Sequence, residues 1–334
     1  MANTRPDRPV VAVLYNENRP PIAPTIDSLA TVRYTRAQDL TTALVGADAL
    51  FVWDFHSSVV REAWPAADRL DWVHTASAGV DKLMFPELRS SSVVLTNSRG
   101  VFEDAIAESV LAFVLAFAKD LPATIRNQSD NRWQHRESER IAGRVAAVVG
   151  TGPIGRASAR LLRAAGMRVF GIGRRRIDDD EDFGAVYATE EMLDRIADVD
   201  YVVAVAPLTE QTRAMFDATV FAAMKSTARF INVGRGELTV TKDLVAAIDR
   251  GEIAGAALDV FETEPLPNSS PLWSMPNVIV SPHMTGDVAG WQDELVSVFV
   301  DNFSRWRDGR PLRNVVDKRR GYVPTNSPMN PPSG

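Results

Sequence analysis

Short runs rich in Val, Ile, Ala and Leu punctuate the chain, each bounded by turn-forming or charged residues. Residues 10–15, 49–53, 72–75 and 93–96 are such runs and predict strands. Their alternation with mixed segments is the beat of an open α/β sheet. Residues 103–119 are rich in Ala, Leu, Val and Phe and contain no Pro or Gly, which predicts a long buried helix ending near Pro122. A second series follows. Residues 145–149 predict a strand that feeds a glycine-rich turn, residues 154–165 a helix, and residues 167–172 the next strand. Residues 201–206, 229–233, 255–258 and 278–280 continue as strands, with helical segments around Glu190, Thr219 and Leu244. A last helix, about residues 288–307, should carry the chain back towards the first domain. The tail at residues 319–334 has too little apolar content to pack, and its end is expected to be disordered. No internal repeat of solenoid period is present.

The pattern predicts an α/β protein of two doubly wound, Rossmann-like domains with an active-site cleft between them. Residues 1–97 with 287–334 would form a discontinuous substrate domain, and residues 98–286 a dinucleotide-binding domain. Composition agrees with two cores, since 334 residues exceed the usual single domain and 45% are hydrophobic. Cys is absent, which excludes a disulfide framework and thiolate chemistry and fits a reducing cytosol. The polar residues 1–9 lack a signal pattern, and the most apolar segment, residues 110–118, is too short to span a bilayer. A soluble cytoplasmic protein without a membrane partner is expected. A formal charge of -6 argues against general nucleic-acid affinity, so an anion would have to be caught locally.

The glycine-rich turn is Gly150-Thr151-Gly152-Pro153-Ile154-Gly155. Such a motif alone is weak, but here it follows an apolar strand and opens a helix at the start of a βαβ unit. In that setting Gly152 lets backbone approach a pyrophosphate and Gly155 lets helix pack on strand. A carboxylate roughly 20 residues beyond such a loop would grip the ribose 2′-hydroxyl of NAD. Arg174 and Arg175 stand there instead. Guanidiniums pair with phosphate oxygens, so NADP(H) is favoured as cofactor and NAD(H) is the alternative. The run Asp178-Asp179-Asp180-Glu181-Asp182 opposes this, because it offers charges that would neutralise the arginines in a solvated loop or repel a phosphate.

Three further segments are polar where the end of a buried strand should be bland. They are Asn232-Val233-Gly234-Arg235-Gly236, residues 259–267 from Asp259, and Ser281-Pro282-His283-Met284-Thr285-Gly286. Each lies just past the carboxyl end of a predicted strand, where doubly wound sheets place ligands. Together they supply an Arg, a carboxylate and a His. Reduction of a 2-keto acid needs a cation for the carboxylate, an acid for the carbonyl oxygen, and a carboxylate to keep that acid charged.

These segments, with His74-Thr75-Ala76-Ser77-Ala78-Gly79-Val80-Asp81, the stretch from Thr96-Asn97 to Glu108, and Pro207-Leu208-Thr209 with Thr212, resemble the D-2-hydroxyacid dehydrogenases over about residues 72–322. The ending Val316 to Tyr322, with Pro265-Leu266-Pro267 and Ser270-Pro271-Leu272-Trp273, resembles the glyoxylate/hydroxypyruvate reductase branch. The resemblance implies an oxidoreductase that moves a hydride between NAD(P)H and a 2-keto acid or D-2-hydroxy acid. By it, Arg235 would bind the substrate carboxylate and carbonyl, His283 would be the general acid/base and Glu264 would orient His283. Backbone N–H groups around Ser77, Ala78 and Gly79 would add to the carboxylate grip. The cofactor would meet Gly150, Gly152, Pro153, Ile154, Gly155, Arg174, Arg175, Ala206, Pro207, Thr212, Val233, Gly234, Asp259, His283 and Gly286. Formate dehydrogenases of this fold pair the His with Gln, so Glu264 speaks against that reaction.

His56, His74 and His135 lack partners at metal-ligand spacing and are expected to be structural or surface groups, with no metal site implied. Trp291 is expected to pack between domains. Residues 127–141 lie where the family places dimer contacts, which implies a homodimer. Two alternatives remain open: an NAD-linked dehydrogenase of another substrate, such as phosphoglycerate or a bulkier keto acid, and a dinucleotide-sensing binding module.

Overall fold

The computed structural model describes residues 7–21, 24–55 and 57–324. His56 and residues 325–334, on which part of the histidine and disordered-tail expectations rest, lie outside the described residues. The chain forms two compact units, Met1–Val101 with Ala289–Gly334, and Phe102–Val288.

The first unit begins β1 (Val10–Leu14), α1 (Pro24–Leu29), β2 (Thr31–Thr35), α2 (Leu40–Leu44) and β3 (Ala49–Val52). It continues α3 (Val60–Ala63), β4 (Trp72–Thr75), α4 (Pro86–Ser90) and β5 (Val94–Thr96). The five strands pair in parallel in the order β2-β1-β3-β4-β5. β3 and β4 are buried along their whole length, as parallel strands covered on both faces must be. β2 is the strand that hydropathy does not reveal. Its sequence Thr-Val-Arg-Tyr-Thr is half-exposed at the sheet edge and owes its extended form to pairing with β1. Beyond β5 the chain stays tied to this unit: Ser98 N donates to Ser77 O at 3.0 Å, and Asn314 Nδ2 donates to the carbonyls of Asn97 and Arg99. The crossing to the second unit therefore falls after Val101.

The second unit starts α5 (Glu103–Ala118), α6 (Leu121–Ser129), β6 (Val145–Val149), α7 (Pro153–Ala164), β7 (Arg168–Gly173), β8 (Ile177–Asp180) and β9 (Gly184–Ala188). It goes on through α8 (Met192–Ile196), β10 (Tyr201–Ala204), α9 (Ala218–Ala223), β11 (Arg229–Asn232), α10 (Thr241–Asp249), β12 (Gly255–Leu258) and β13 (Val278–Val280). The eight strands lie in the order β13-β12-β11-β10-β6-β7-β9-β8. β8 alone runs antiparallel, against β9. From β6 the chain winds outward through β7, then returns to β10 on the other side of β6, so the order reverses between β6 and β10. Doubly wound sheets hold their ligands at the carboxyl ends of the strands beside such a reversal.

α11 (Trp291–Arg307) returns the chain to the first unit. Its Phe299 stacks on Phe51 at 4.1 Å and on Trp72 at 5.3 Å between ring centroids. Each such buried aromatic contributes about 1.5–3 kcal/mol from removal of apolar surface from water. His74 is fully buried among these rings, with Nδ1 2.8 Å from Thr96 Oγ1 and Nε2 3.3 Å from Ser98 Oγ. Burial pushes its pKa down to about 3, so it is a neutral structural residue. His135 is exposed. Trp291 stacks on Trp53 within this same unit, at 6.4 Å. Among the described residues, no helix is long and apolar enough to cross a membrane, and no group of three or more His, Asp or Glu could hold a metal.

Candidate active site

β6 ends at Val149, and the chain passes Gly150 with φ of +118° before α7 begins. A Cβ at residue 150 would be strained and would lie 2.6 Å from Ala206 N, so only glycine lets the turn abut the end of β10. A Cβ on Gly155 would fall 1.9 Å from the Gly150 carbonyl oxygen, which explains the third glycine of the motif. Gly152 is different: nothing lies within 4 Å of its Cβ position, so the outer side of the turn is open to a ligand. The first turn of α7 begins at Pro153, which has no N–H, and directs the N–H groups of Ile154 and Gly155 and the positive end of the helix dipole there. The arrangement fits a pyrophosphate.

The neighbouring strand ends complete this edge. After β10, Thr212 Oγ1 donates to Pro207 O at 2.6 Å and accepts from Thr209 N at 2.8 Å, closing the loop that follows the buried Ala206. After β11, Val233 is buried, and a Cβ on Gly234 would come 3.1 Å from Ala206 O.

β11, β12 and β13 are parallel neighbours, with Asn232 opposite Leu258 and Leu258 opposite Val280. The segments after them therefore leave the sheet side by side. Asn232 Oδ1 accepts from Gly234 N at 3.0 Å, and its Nδ2 donates to Arg235 O at 3.0 Å and Thr239 Oγ1 at 3.1 Å. A Cβ on Gly236 would lie 1.9 Å from Phe261 C, so the Arg235 loop is pressed onto the segment after β12. Arg235 is half-buried, and its Nη1 donates to Gly234 O at 2.8 Å.

Asp259 is 1% exposed, and its carboxylate accepts four hydrogen bonds from the segment after β13. Oδ1 accepts from Ser281 Oγ (2.5 Å) and Met284 N (2.9 Å); Oδ2 accepts from Thr285 N (3.1 Å) and Thr285 Oγ1 (2.6 Å). Between these anchors His283 takes a left-handed φ of +54°, an uncommon conformation that needs such support. Its Nδ1 lies 2.8 Å from Glu264 Oε2, while Glu264 Oε1 accepts from Phe261 N at 2.9 Å. A carboxylate only accepts, so Nδ1–H donates and Nε2 is the nitrogen presented away from Glu264. Both side chains are about a third exposed, at 32% and 29%. Gly286 is buried, and a Cβ on it would lie 2.8 Å from Phe102 Cδ1. An imidazole oriented by a carboxylate, on an edge that also carries the half-buried Arg235 and the open glycine turn, is equipped for proton transfer to a bound carbonyl.

Arg174, Arg175 and Arg176 follow β7, whose last carbonyl, Gly173 O, accepts from Thr189 Oγ1 at 3.0 Å. Arg176 is engaged by Asp178 (2.7 Å), by Glu191 (3.0 Å) and by the Tyr187 ring. Arg174 and Arg175 are exposed. The acid run does not form the solvated loop its sequence predicts. It forms β8 and the following turn, and its best-buried members pair with α7: Arg156 forks onto both oxygens of Asp180 at 3.0 and 2.9 Å and reaches Asp182 at 2.8 Å. Burial pushes the Asp180 carboxyl up, but hydrogen bonds from Arg156 and from the Phe183 and Asp182 amides outweigh it and hold the group below the usual carboxylate range.

Ser77, Ala78 and Gly79 follow β4 in the first unit. Their carbonyls accept from Ser98 N (3.0 Å), Asn97 Nδ2 (2.5 Å) and Ser77 Oγ (2.6 Å) respectively. In a trans peptide the N–H points opposite the C=O, so the amides of Ala78, Gly79 and Val80 face away from those partners.

Sequence reasoning missed Asn232, Ser281 and Thr285, which anchor the Arg235 and His283 loops, and Arg156. The signal for two of them was present: Ser281 and Thr285 flank His283 symmetrically, two residues on either side.

Residues 111–285 match the family model described as D-isomer specific 2-hydroxyacid dehydrogenase, NAD binding domain. Glyoxylate/hydroxypyruvate reductase B of Salmonella schwarzengrund is 31% identical over 301 residues, covering 88% of this chain and 90% of that protein. A D-isomer specific 2-hydroxyacid dehydrogenase of Xanthobacter autotrophicus Py2, solved with NADPH and MES, superposes with a TM-score of 0.80 at 31% identity, over 93% of this chain and 99% of that one. An NADPH-dependent glyoxylate/hydroxypyruvate reductase of Sinorhizobium meliloti, solved with NADP and sulfate, gives a TM-score of 0.79 at 27% identity, over 94% and 100%.

Proposed function

The chain belongs to the D-isomer specific 2-hydroxyacid dehydrogenase family, and from that premise we propose that it reduces small 2-keto acids, glyoxylate and hydroxypyruvate foremost, with NADPH preferred over NADH. The observation that carries this reading is the His283–Glu264 contact of 2.8 Å beside the Arg235 loop, on the carboxyl edge that also bears the open glycine turn. The bound cofactor supplies the hydride. Arg235 holds the substrate carboxylate, and the amides of Ala78 and Gly79 add donors of the same kind. Glu264 accepts a hydrogen bond from Nδ1–H and orients the ring, so that His283, protonated on both nitrogens, delivers its Nε2 proton to the carbonyl oxygen and is left as the neutral Nδ1–H imidazole. Asp259 holds the His283 loop through four hydrogen bonds.

The NADPH preference rests on Arg174 and Arg175, in place of an acid after β7, and agrees with the NADP(H) bound by the relatives from Xanthobacter and Sinorhizobium. A homodimer is proposed through residues 127–141, where Trp133 is 102% exposed, with the exposed Leu121 and Ile125 preceding that segment. The cytoplasm is the proposed location, in keeping with the absence of Cys. The test is initial-rate reduction of glyoxylate, hydroxypyruvate and a panel of bulkier 2-keto acids, each with NADPH and with NADH. Turnover of the two small acids with a higher kcat/KM for NADPH is expected. Equal or better use of NADH refutes the cofactor assignment, and binding of cofactor without turnover of any keto acid refutes the enzyme.

A further inference from the structure

We propose that Arg156, with Asp180 and Asp182, is a positioning device for cofactor choice, drawing the acid run away from Arg174–Arg175 and holding the strand hairpin that carries it. This rests on the NADPH reading above and deepens it. By sequence the acids begin three residues after Arg175, close enough to cancel its charge. The hairpin moves them. Gly173 pairs with Ala188 at the carboxyl edge of the sheet, whereas Asp180 pairs with Gly184, four residues down β9. At about 3.3 Å per residue, Asp180 lies about 13 Å below the edge where Arg174 and Arg175 stand. The screening length at physiological salt is about 8 Å, so an acid at that depth little opposes a phosphate at the edge.

What keeps the hairpin there is α7. Arg156, Arg160 and Arg163 descend the helix at i, i+4 and i+7, on one face. Arg156 binds Asp180 and Asp182; Arg160 binds Asp182 at 3.1 Å; Arg163 donates to the carbonyls of Glu181 and Asp182 at 2.8 and 2.7 Å. Arg156 also lies 5.4 Å from the Phe183 ring centroid. This is not a loose surface pair: the Arg156, Asp180 and Asp182 side chains are 25%, 6% and 12% exposed, and the fork is bidentate. The acid nearest the edge, Asp178, is taken by Arg176. One end of α7 thus offers its N-terminus to the pyrophosphate, and its flank secures the segment that reads the adenosine ribose.

The test uses the full chain and two probes that need no turnover: adenosine 2′,5′-bisphosphate, which carries the 2′-phosphate, and 5′-AMP, which lacks it. Calorimetry on the parent should show tighter binding of the bisphosphate. In Arg156→Ala and in Asp180→Asn the bisphosphate should weaken about tenfold while 5′-AMP stays within about twofold, as expected for loss of aligned charge-assisted contacts to one phosphate. Arg156→Lys should recover part of the difference. Hydrogen exchange of residues 174–184 should rise in the first two variants. Equal weakening of both probes, or of neither, in variants of unchanged helical circular dichroism overturns the proposal and leaves the NADPH reading standing. If Arg156→Ala does not fold, Asp180→Asn and Arg156→Lys carry the comparison. A parent that binds both probes equally overturns the NADPH reading and this proposal with it.

Discussion

Replacing Asp259 by Asn removes one charge and almost no volume, and the four bonds on the carboxylate set the cost. Each carboxylate oxygen accepts one hydroxyl, from Ser281 or Thr285, and one backbone N–H, from Met284 or Thr285. An Asn amide keeps one oxygen and presents an NH2 group to the other pair. The hydroxyl there can turn to accept, but the backbone N–H cannot, so either orientation leaves one buried N–H facing a donor. An unsatisfied buried donor costs about 1–3 kcal/mol, and the two bonds that remain lose their charge-assisted share, about 1 kcal/mol each. The total is about 3–5 kcal/mol, spent on the segment that holds His283 at φ of +54°. Urea unfolding of the variant, followed by tryptophan fluorescence, should show a lower midpoint. A thermal midpoint lower by about 2–4 °C for each kcal/mol that registers globally is expected for a unit of this size. Exchange of the Met284 and Thr285 amides should accelerate, and kcat should fall. Ser281→Ala, which removes a single hydroxyl donor, should cost about 1 kcal/mol. An Asp259→Asn variant with unchanged midpoint and unchanged protection at Met284 and Thr285 would refute the anchoring argument.

His283→Gln should lower kcat by about 10²–10⁴-fold, the usual share of a positioned acid/base, with NADPH affinity by fluorescence titration held within about twofold; a variant that retains normal turnover excludes His283 as the proton donor. Gly155→Ala places a methyl group 1.9 Å from the Gly150 carbonyl oxygen, so α7 must shift from the turn. A loss of about 1–3 kcal/mol from overpacking, with weakened cofactor binding, is expected in urea titrations, and full affinity at full stability would contradict the geometry. His74 is held at about 3 in the fold against an ordinary 6.5, so the unfolded chain takes up a proton that the fold excludes. Its contribution is intact above pH 6.5 and declines as pH falls from 6.5 towards 3, at about 1.4 kcal/mol per pH unit. Unfolding free energies measured at pH 7, 5.5 and 4.5 should fall more steeply than in His74→Gln, and parallel slopes in the two proteins would dismiss this role.

Local periodicity and composition are enough to read the βα beat, the glycine turn and the three polar strand ends, because each depends on a few consecutive residues. β2 escaped because its polar residues follow no buried pattern; an edge strand is made by the neighbour it pairs with. The acid run escaped for a related reason. Charge along the chain measures proximity in sequence, and a hairpin can carry a carboxylate four residue steps from the arginine it follows. His74 read as an isolated polar residue, and only the rings of Phe51, Trp72 and Phe299 around it explain why it stays neutral.

By itself the sequence determined that this chain alternates strands and helices, that a strand opens onto a helix through glycines, and that Arg235, Glu264 and His283 each stand just past a strand. Those are consequences of backbone freedom and of apolar spacing, both local. Tertiary structure alone decided that Glu264 meets Nδ1 of His283, that Asp259 directs all four hydrogen bonds to the His283 loop, and that Arg156 pairs with Asp180 and Asp182. Hydrogen bonds and ion pairs reach only about 3 Å, so partners 19 to 26 residues apart find one another only after strand register has placed them.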